Sequence, residues 1–273
     1  ADLAGLAGSG QVRIKRLDAG TSDADLLRWL AKVDQYHERS LSAQEAGLPK
    51  SQWTVSETQT DAQGRSRTVQ RERRVGTREL SLLNHEADAT VAALPMLAPA
   101  PTAGASAATS GARARPFEVL GIPLPQPGYH VVEVESRLLG RALLGKPAPM
   151  YVRTGALVTQ LGVHFKRGRS SSLVWVTQLD SAKPVANARV AVNDCSGKPV
   201  WSGSTNAQGL ALIDRGFGDD HRDCVMGAAW FVTARATDAQ GRSDLAFVFS
   251  DWAQGIEPWR FNQPLASGTR PDW

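Results

Sequence analysis

The sequence predicts a mainly β protein made of two antiparallel β-sandwich units, the first carrying a helix and a disordered insertion. Three observations predict it. Between Leu173 and Ile213 the runs SLVWVTQLD, ARVAVND, PVWSG and GLALI follow one another, each alternating or solidly apolar over a strand's length. Every gap between them holds Gly, Pro, Asn or Asp, residues that tolerate or pre-set the backbone angles of turns. The gaps are also short, which favours sequential antiparallel hairpins over parallel crossovers needing roughly a dozen residues each.

Strand periodicity can be followed residue by residue, because successive side chains point to opposite faces. Leu173, Trp175, Thr177 and Leu179 share one side, and Val174, Val176 and Gln178 the other. Trp175 is expected in the core. Val190 and Val192 face one way, Arg189, Ala191 and Asn193 the other. Ser181–Pro184, Ser196–Pro199 and Asn206–Gly209 supply the turns.

In chain order, Gln11–Leu17 alternates as a strand, and a helix is predicted over residues 22–37. Ser22 can cap it, acids fill its first turn, and Leu26, Leu27, Leu30 and Val33 recur at helical spacing, so one apolar stripe should pack on a sheet. From Gln52 to Leu83 the segments TVSETQT and RSRTVQRERRV flank a turn at Asp61–Gly64, which predicts a polar, solvent-exposed hairpin. The same DAQGRS hexapeptide returns at Asp238–Ser243, marking either duplicated modules or turn chemistry alone. Residues 98–116 are rich in Ala, Pro, Gly and Ser and are expected to be a disordered insertion. A strand at Tyr129–Glu135 closes this first unit, and small, kinked residues from Leu138 to Pro149 suggest its boundary.

The expected division is therefore a first unit over 11–149, a seven-stranded second unit over 150–254, and a linker toward a further domain over 255–273. Seven or so strands over about 100 residues argue an immunoglobulin-like sandwich for the second.

Composition sets limits on function. With 273 residues the chain can form one large domain or two, and its 31 Lys plus Arg against 27 Asp plus Glu leave a net charge of only +4. The densest basic segments, Arg65–Arg78 and Lys166–Arg169, lack the stacking aromatics of a nucleic-acid surface, so no nucleic-acid partner is expected. No apolar run approaches the roughly 20 residues that span a bilayer, and the first ten residues lack the basic head and apolar run of a signal peptide. Cys195 ends a strand and Cys224 follows the polar loop Gly216–Asp223. One reading is a disulfide, which would stabilise the fold by roughly 3 kcal/mol and imply an oxidising compartment; the other is two free buried thiols.

The search for chemistry returns no catalytic, cofactor-binding or metal residues. His37, His85, His130, His164 and His221 are scattered without metal-ligand spacing. Asp219, Asp220, His221 and Asp223 form one dense polar cluster, most simply a solvated loop. Glu133 and Glu135 lie two apart on one strand, as paired carboxylates would, although an exposed edge is the stronger reading. Trp252 and Trp259 sit in the exit segment and are expected to pack between neighbouring units.

The stretch from Gly128 to Phe261, with SLVWVTQLD, NDCSGK and GIEPWRF, resembles the N-terminal half of bacterial alpha-2-macroglobulins; Gln11–Leu124 resembles it only loosely. The resemblance implies a string of macroglobulin-like seven-stranded sandwich domains in a periplasmic protease-trapping inhibitor, which closes on its target after cleavage of a bait segment. Many members also tether the protease through a buried thioester. They are often lipoproteins held at the inner membrane and are thought to protect a cell whose outer layer is breached. The partners implied are other domains of the parent chain, target proteases and, for some members, a penicillin-binding protein. The thioester signature Cys-x-Glu-Gln is absent here: Ser-Gly-Lys follows Cys195 and Val-Met-Gly follows Cys224. No bait region is recognisable. The resemblance therefore implies a non-catalytic scaffold without cofactor, with Cys195 and Cys224 as a structural pair. The alternative is an exported immunoglobulin-like adhesin or carbohydrate-binding module using the loop Gly216–Asp223.

Overall fold

The computed structural model describes residues 10–37, 40–93, 121–218, 229–238 and 240–252. The expected insertion over 98–116, the segment 255–273 and the cluster Asp219–Asp223 lie outside these residues. The chain divides into two compact units, Ala1–Gly20 with Arg28–Val158, and Thr21–Leu27 with Thr159–Trp273.

The elements up to Val158 are β1 (Gln11–Leu17), α1 (Asp23–Gln35), β2 (Ser40–Ser42), β3 (Thr54–Thr60), β4 (Ser66–Glu72), β5 (Arg74–Gly76), β6 (Thr90–Ala93), β7 (Gly128–Ser136) and β8 (Met150–Val158). Ser22 caps α1 as expected, its Oγ accepting the Asp25 amide at 3.1 Å. Four strands form an antiparallel sheet in the order β6-β1-β7-β8, while β2–β5 and β3–β4 are two-stranded ribbons. The β3–β4 ribbon matches the predicted polar hairpin, with almost every residue exposed.

Met150–Val158, expected to open the second unit, instead forms the edge of the first sheet. It pairs with β7 from Ser136↔Met150 to Gly128↔Val158. The small and proline-bearing residues before it form a hairpin connection, not a linker, and the first unit extends to Val158.

The second unit holds β9 (Leu161–Lys166), β10 (Ser172–Gln178), β11 (Arg189–Asn193), β12 (Pro199–Ser204), β13 (Leu210–Ile213), β14 (Phe231–Thr237) and β15 (Ser243–Phe249). They form a three-stranded sheet, β13-β10-β9, and a four-stranded sheet, β12-β11-β14-β15, with every pairing antiparallel. One core joins the two sheets: Leu161, Val174, Val176, Ala211 and Ile213 come from the first, Val190, Val192, Val232, Ala234 and Ala246 from the second. The alternation of apolar side chains builds this sandwich as the period requires.

Trp175 corrects one expectation. Val174 and Val176 are fully buried, whereas Trp175 is 39% exposed. Both faces of this strand are apolar, so parity alone does not say which of them turns inward.

Four turns share one chemistry. Asp61, Asp194, Asn206 and Asp238 each accept, through Oδ1, the amides two and four residues on, at 2.8 to 3.0 Å. A left-handed glycine follows three residues after each. The repeated DAQGRS thus encodes a turn, joining an exposed ribbon in one unit and two sandwich strands in the other.

Candidate functional site

The residues singled out in the sequence do not converge. Cys195 lies half-buried in the turn after β11, and Cys224 lies outside the described residues. The Trp252 ring centroid is 4.9 Å from that of Phe249 and 6.2 Å from that of Phe247, so it folds back on β15 of its own unit; Trp259 lies outside the described residues. Among the described residues no group of three or more His, Cys, Asp or Glu side chains is placed to hold a metal ion.

Glu133 does not lie on an exposed edge. β7 is an interior strand, and Glu133 is fully buried. Its carboxylate accepts from Ser81 Oγ (2.5 Å), Leu82 N (2.6 Å), Leu83 N (3.3 Å) and Arg153 Nε (3.3 Å). Arg153, opposite it on β8, donates through Nη1 to the carbonyls of Tyr36 (2.9 Å) and Thr77 (3.0 Å), and through Nη2 to that of Leu80 (2.6 Å). Burial pulls the guanidinium below its ordinary pKa, and the Glu133 charge opposes that shift. Glu135 is engaged separately, by Arg13 at 2.7 Å and Gln11 at 2.9 Å. The two carboxylates are thus consumed in holding chain segments together and do not form an acid–base pair.

Two further polar nodes are structural in the same sense. Lys15 pairs with Glu86 at 3.2 Å and with Asp88, and lies 4.9 Å from the Trp29 ring centroid, holding Trp29 against the first sheet. In the second unit Asp23 accepts from Arg235 Nη2 (2.6 Å), Asn193 Nδ2 (2.8 Å) and Thr233 Oγ1 (3.0 Å), seating Thr21–Leu27 on the four-stranded sheet. The sequence hid these partners because they lie far apart along the chain.

What remains functionally suggestive is a surface. On the outer face of the three-stranded sheet, Leu210, Trp175 and His164 pair across three strands, and Leu212, Leu173 and Lys166 form the next row. The His164 and Trp175 rings lie 5.5 Å apart, and Leu179 and Leu212 are more than 60% exposed. Exposed apolar side chains gathered on one sheet face mark an interaction surface. The sequence signal was present in β10: solid apolarity on both faces is the pattern of a strand covered twice.

Comparison with known proteins addresses the same unit. Residues 158–266 match the family model for the bacterial alpha-2-macroglobulin MG3 domain. Over this segment the chain is similar to a domain of the bacterial alpha-2-macroglobulins. Two crystal structures of native Escherichia coli alpha-2-macroglobulin are also similar. One spans domains MG0-NIE-MG1, at 14% identity and a TM-score of 0.42, covering 87% of this chain and 54% of that one. The other spans NIE-MG1, at 14% identity and a TM-score of 0.41, covering 87% of this chain and 82% of that one. This chain therefore spans about half the length of the first. No curated protein matches it. The two-sheet second unit coincides with most of the segment matched as an MG3 domain.

Proposed function

We propose that the chain is part of the supporting framework of a periplasmic protease-trapping protein of the alpha-2-macroglobulin kind, and supplies no bait, thioester or catalytic group itself. The match of residues 158–266 to an MG3 domain carries this reading. The absence of Cys-x-Glu-Gln after either cysteine agrees with it. Target proteases, and a penicillin-binding protein where one is recruited, would be partners of the intact molecule, which would be lipid-anchored at the inner membrane. The outer face around Trp175 and Leu212 is the surface on which a neighbouring domain of the same parent would rest.

Acrylamide quenching tests this docking. With Trp175 as the reporting indole, it should be quenched more strongly in this chain than in a longer parent; equal quenching in both would remove the docking role. Cys195 and Cys224 are proposed as a disulfide that ties a loop to the sandwich, in keeping with an exported protein. The absence of free cysteines among the described residues supports it. Peptide mapping without reduction should recover the linked pair, and alkylation of both thiols in native protein would refute it.

A further inference from the structure

The connection between β7 and β8 displays leucines and cations that no contact described above accounts for. Ser136 starts it, its Oγ accepting the Leu139 amide at 3.2 Å, and one helical turn over Arg137–Leu139 widens into a π turn over Gly140–Leu144. Gly145, at φ 67°, ends the turn, and Pro147 and Pro149 keep the helix from resuming. The loop is preformed. A Cβ on Gly140 would stand 1.8 Å from the Ala148 carbonyl oxygen, so the turn lies directly against the returning chain.

On this support Leu139 is 37% exposed and Leu143 61%. Four residues apart on a helical turn, they share one side. Arg137 and Arg141 are exposed beside them, and neither makes an ion pair among the described residues. Lys146 is the one cation of the loop that is paired, to Glu79 at 2.5 Å. The sequence from Arg137 to Pro149 contains no Asp or Glu.

We propose that this turn is a docking element for an anionic lipid surface, with Leu139 and Leu143 entering between headgroups while Arg137 and Arg141 meet lipid phosphates. Charge complementarity selects this occupant: two unpaired guanidinium groups, no carboxylate in the loop, and two apolar tips suit a plane of phosphates over hydrocarbon. An apolar insertion and a basic contribution are both required, because either signal alone gives only marginal membrane binding. The proposal is independent of the scaffold reading.

Vesicle co-sedimentation of the full chain tests it. The chain should pellet with vesicles containing phosphatidylglycerol, and far less with pure phosphatidylcholine, with binding that weakens as salt is raised. Leu139→Gln with Leu143→Gln should reduce binding on the order of tenfold or more. Arg137→Gln with Arg141→Gln should reduce it and flatten the salt dependence, while Arg67→Gln on the distant ribbon should leave it unchanged. These side chains are exposed, so an unchanged melting curve confirms that each variant is folded. Equal pelleting with both lipids, no pelleting with phosphatidylglycerol vesicles, or loop variants that pellet like the parent chain would each overturn the proposal.

Discussion

Glu133 and Arg153 show why a charged pair on a strand is not by itself a site. Glu133 is met by donors from Ser81–Leu83 and Arg153, and Arg153 by acceptors at Tyr36, Thr77, Leu80 and Glu133, so the desolvation of both charges is offset by hydrogen bonds as well as by their mutual attraction. Removing one partner leaves the other buried and uncompensated. Arg153→Met is expected to cost about 3–5 kcal/mol in urea unfolding. The double variant Glu133→Leu with Arg153→Met should lose less than the sum of the single changes. Lys15 makes a pH-dependent contribution. Burial pulls its ammonium pKa down, but the hydrogen bonds and charges of Asp88 and Glu86 outweigh that and leave it raised; the Lys15 hydrogen bond in turn holds the Asp88 carboxyl low. A raised lysine adds stability below its unfolded pKa and loses it as pH rises through the folded value. A lowered aspartate adds stability above its unfolded pKa and loses it as pH falls through the folded value. The pair therefore contributes between roughly pH 4 and pH 10. The stability gap between the natural chain and Lys15→Met should narrow toward both limits, and a gap independent of pH would contradict this. None of these partners was legible in the sequence, because their pairing depends on register between strands and loops distant along the chain.

At the scale of elements, the local signals were readable and the long-range ones were not. The Ser22 cap and the turns at Asp61, Asn206 and Asp238 were visible because each rests on side chains only two to four residues from the backbone groups they satisfy. Their glycines share a left-handed backbone but differ in surroundings. Gly209 has φ 74° and its added Cβ would come 2.5 Å from the Val176 carbonyl oxygen, whereas Gly64, at φ 76°, meets nothing within 4 Å. Gly64→Ala should therefore cost about 1–2 kcal/mol for the backbone alone, and Gly209→Ala measurably more in parallel denaturation curves. Equal costs would mean that the β10 backbone yields to the added methyl. β8 was misplaced for a physical reason: a proline-bearing hairpin connection and a domain linker have the same composition, and only the pairing of Glu133 with Arg153 and their neighbours across β7 and β8 distinguishes them. Likewise β10, apolar on both faces, gave its alternation but not the direction in which Trp175 points.

For the molecule as a whole, an antiparallel β architecture was legible because periodicity and short turns together leave few other arrangements, and the seven strands of the second unit follow from them. Its two faces have different fates. The inner apolar side chains close the sandwich, while Trp175, Leu179 and Leu212 remain on a surface suited to a neighbour. That division suits the proposed role of the unit as a packed body between other packed bodies, and among the described residues Glu133, Arg153 and Asp23 are spent in hydrogen bonds within the fold. Incubation of the purified chain with equimolar protease, followed by digestion of a large protein substrate and denaturing electrophoresis, tests this role most directly. The account predicts undiminished substrate cleavage and no covalent protease adduct. Stoichiometric protection of the large substrate, or a protease-linked band that survives denaturation, would contradict it.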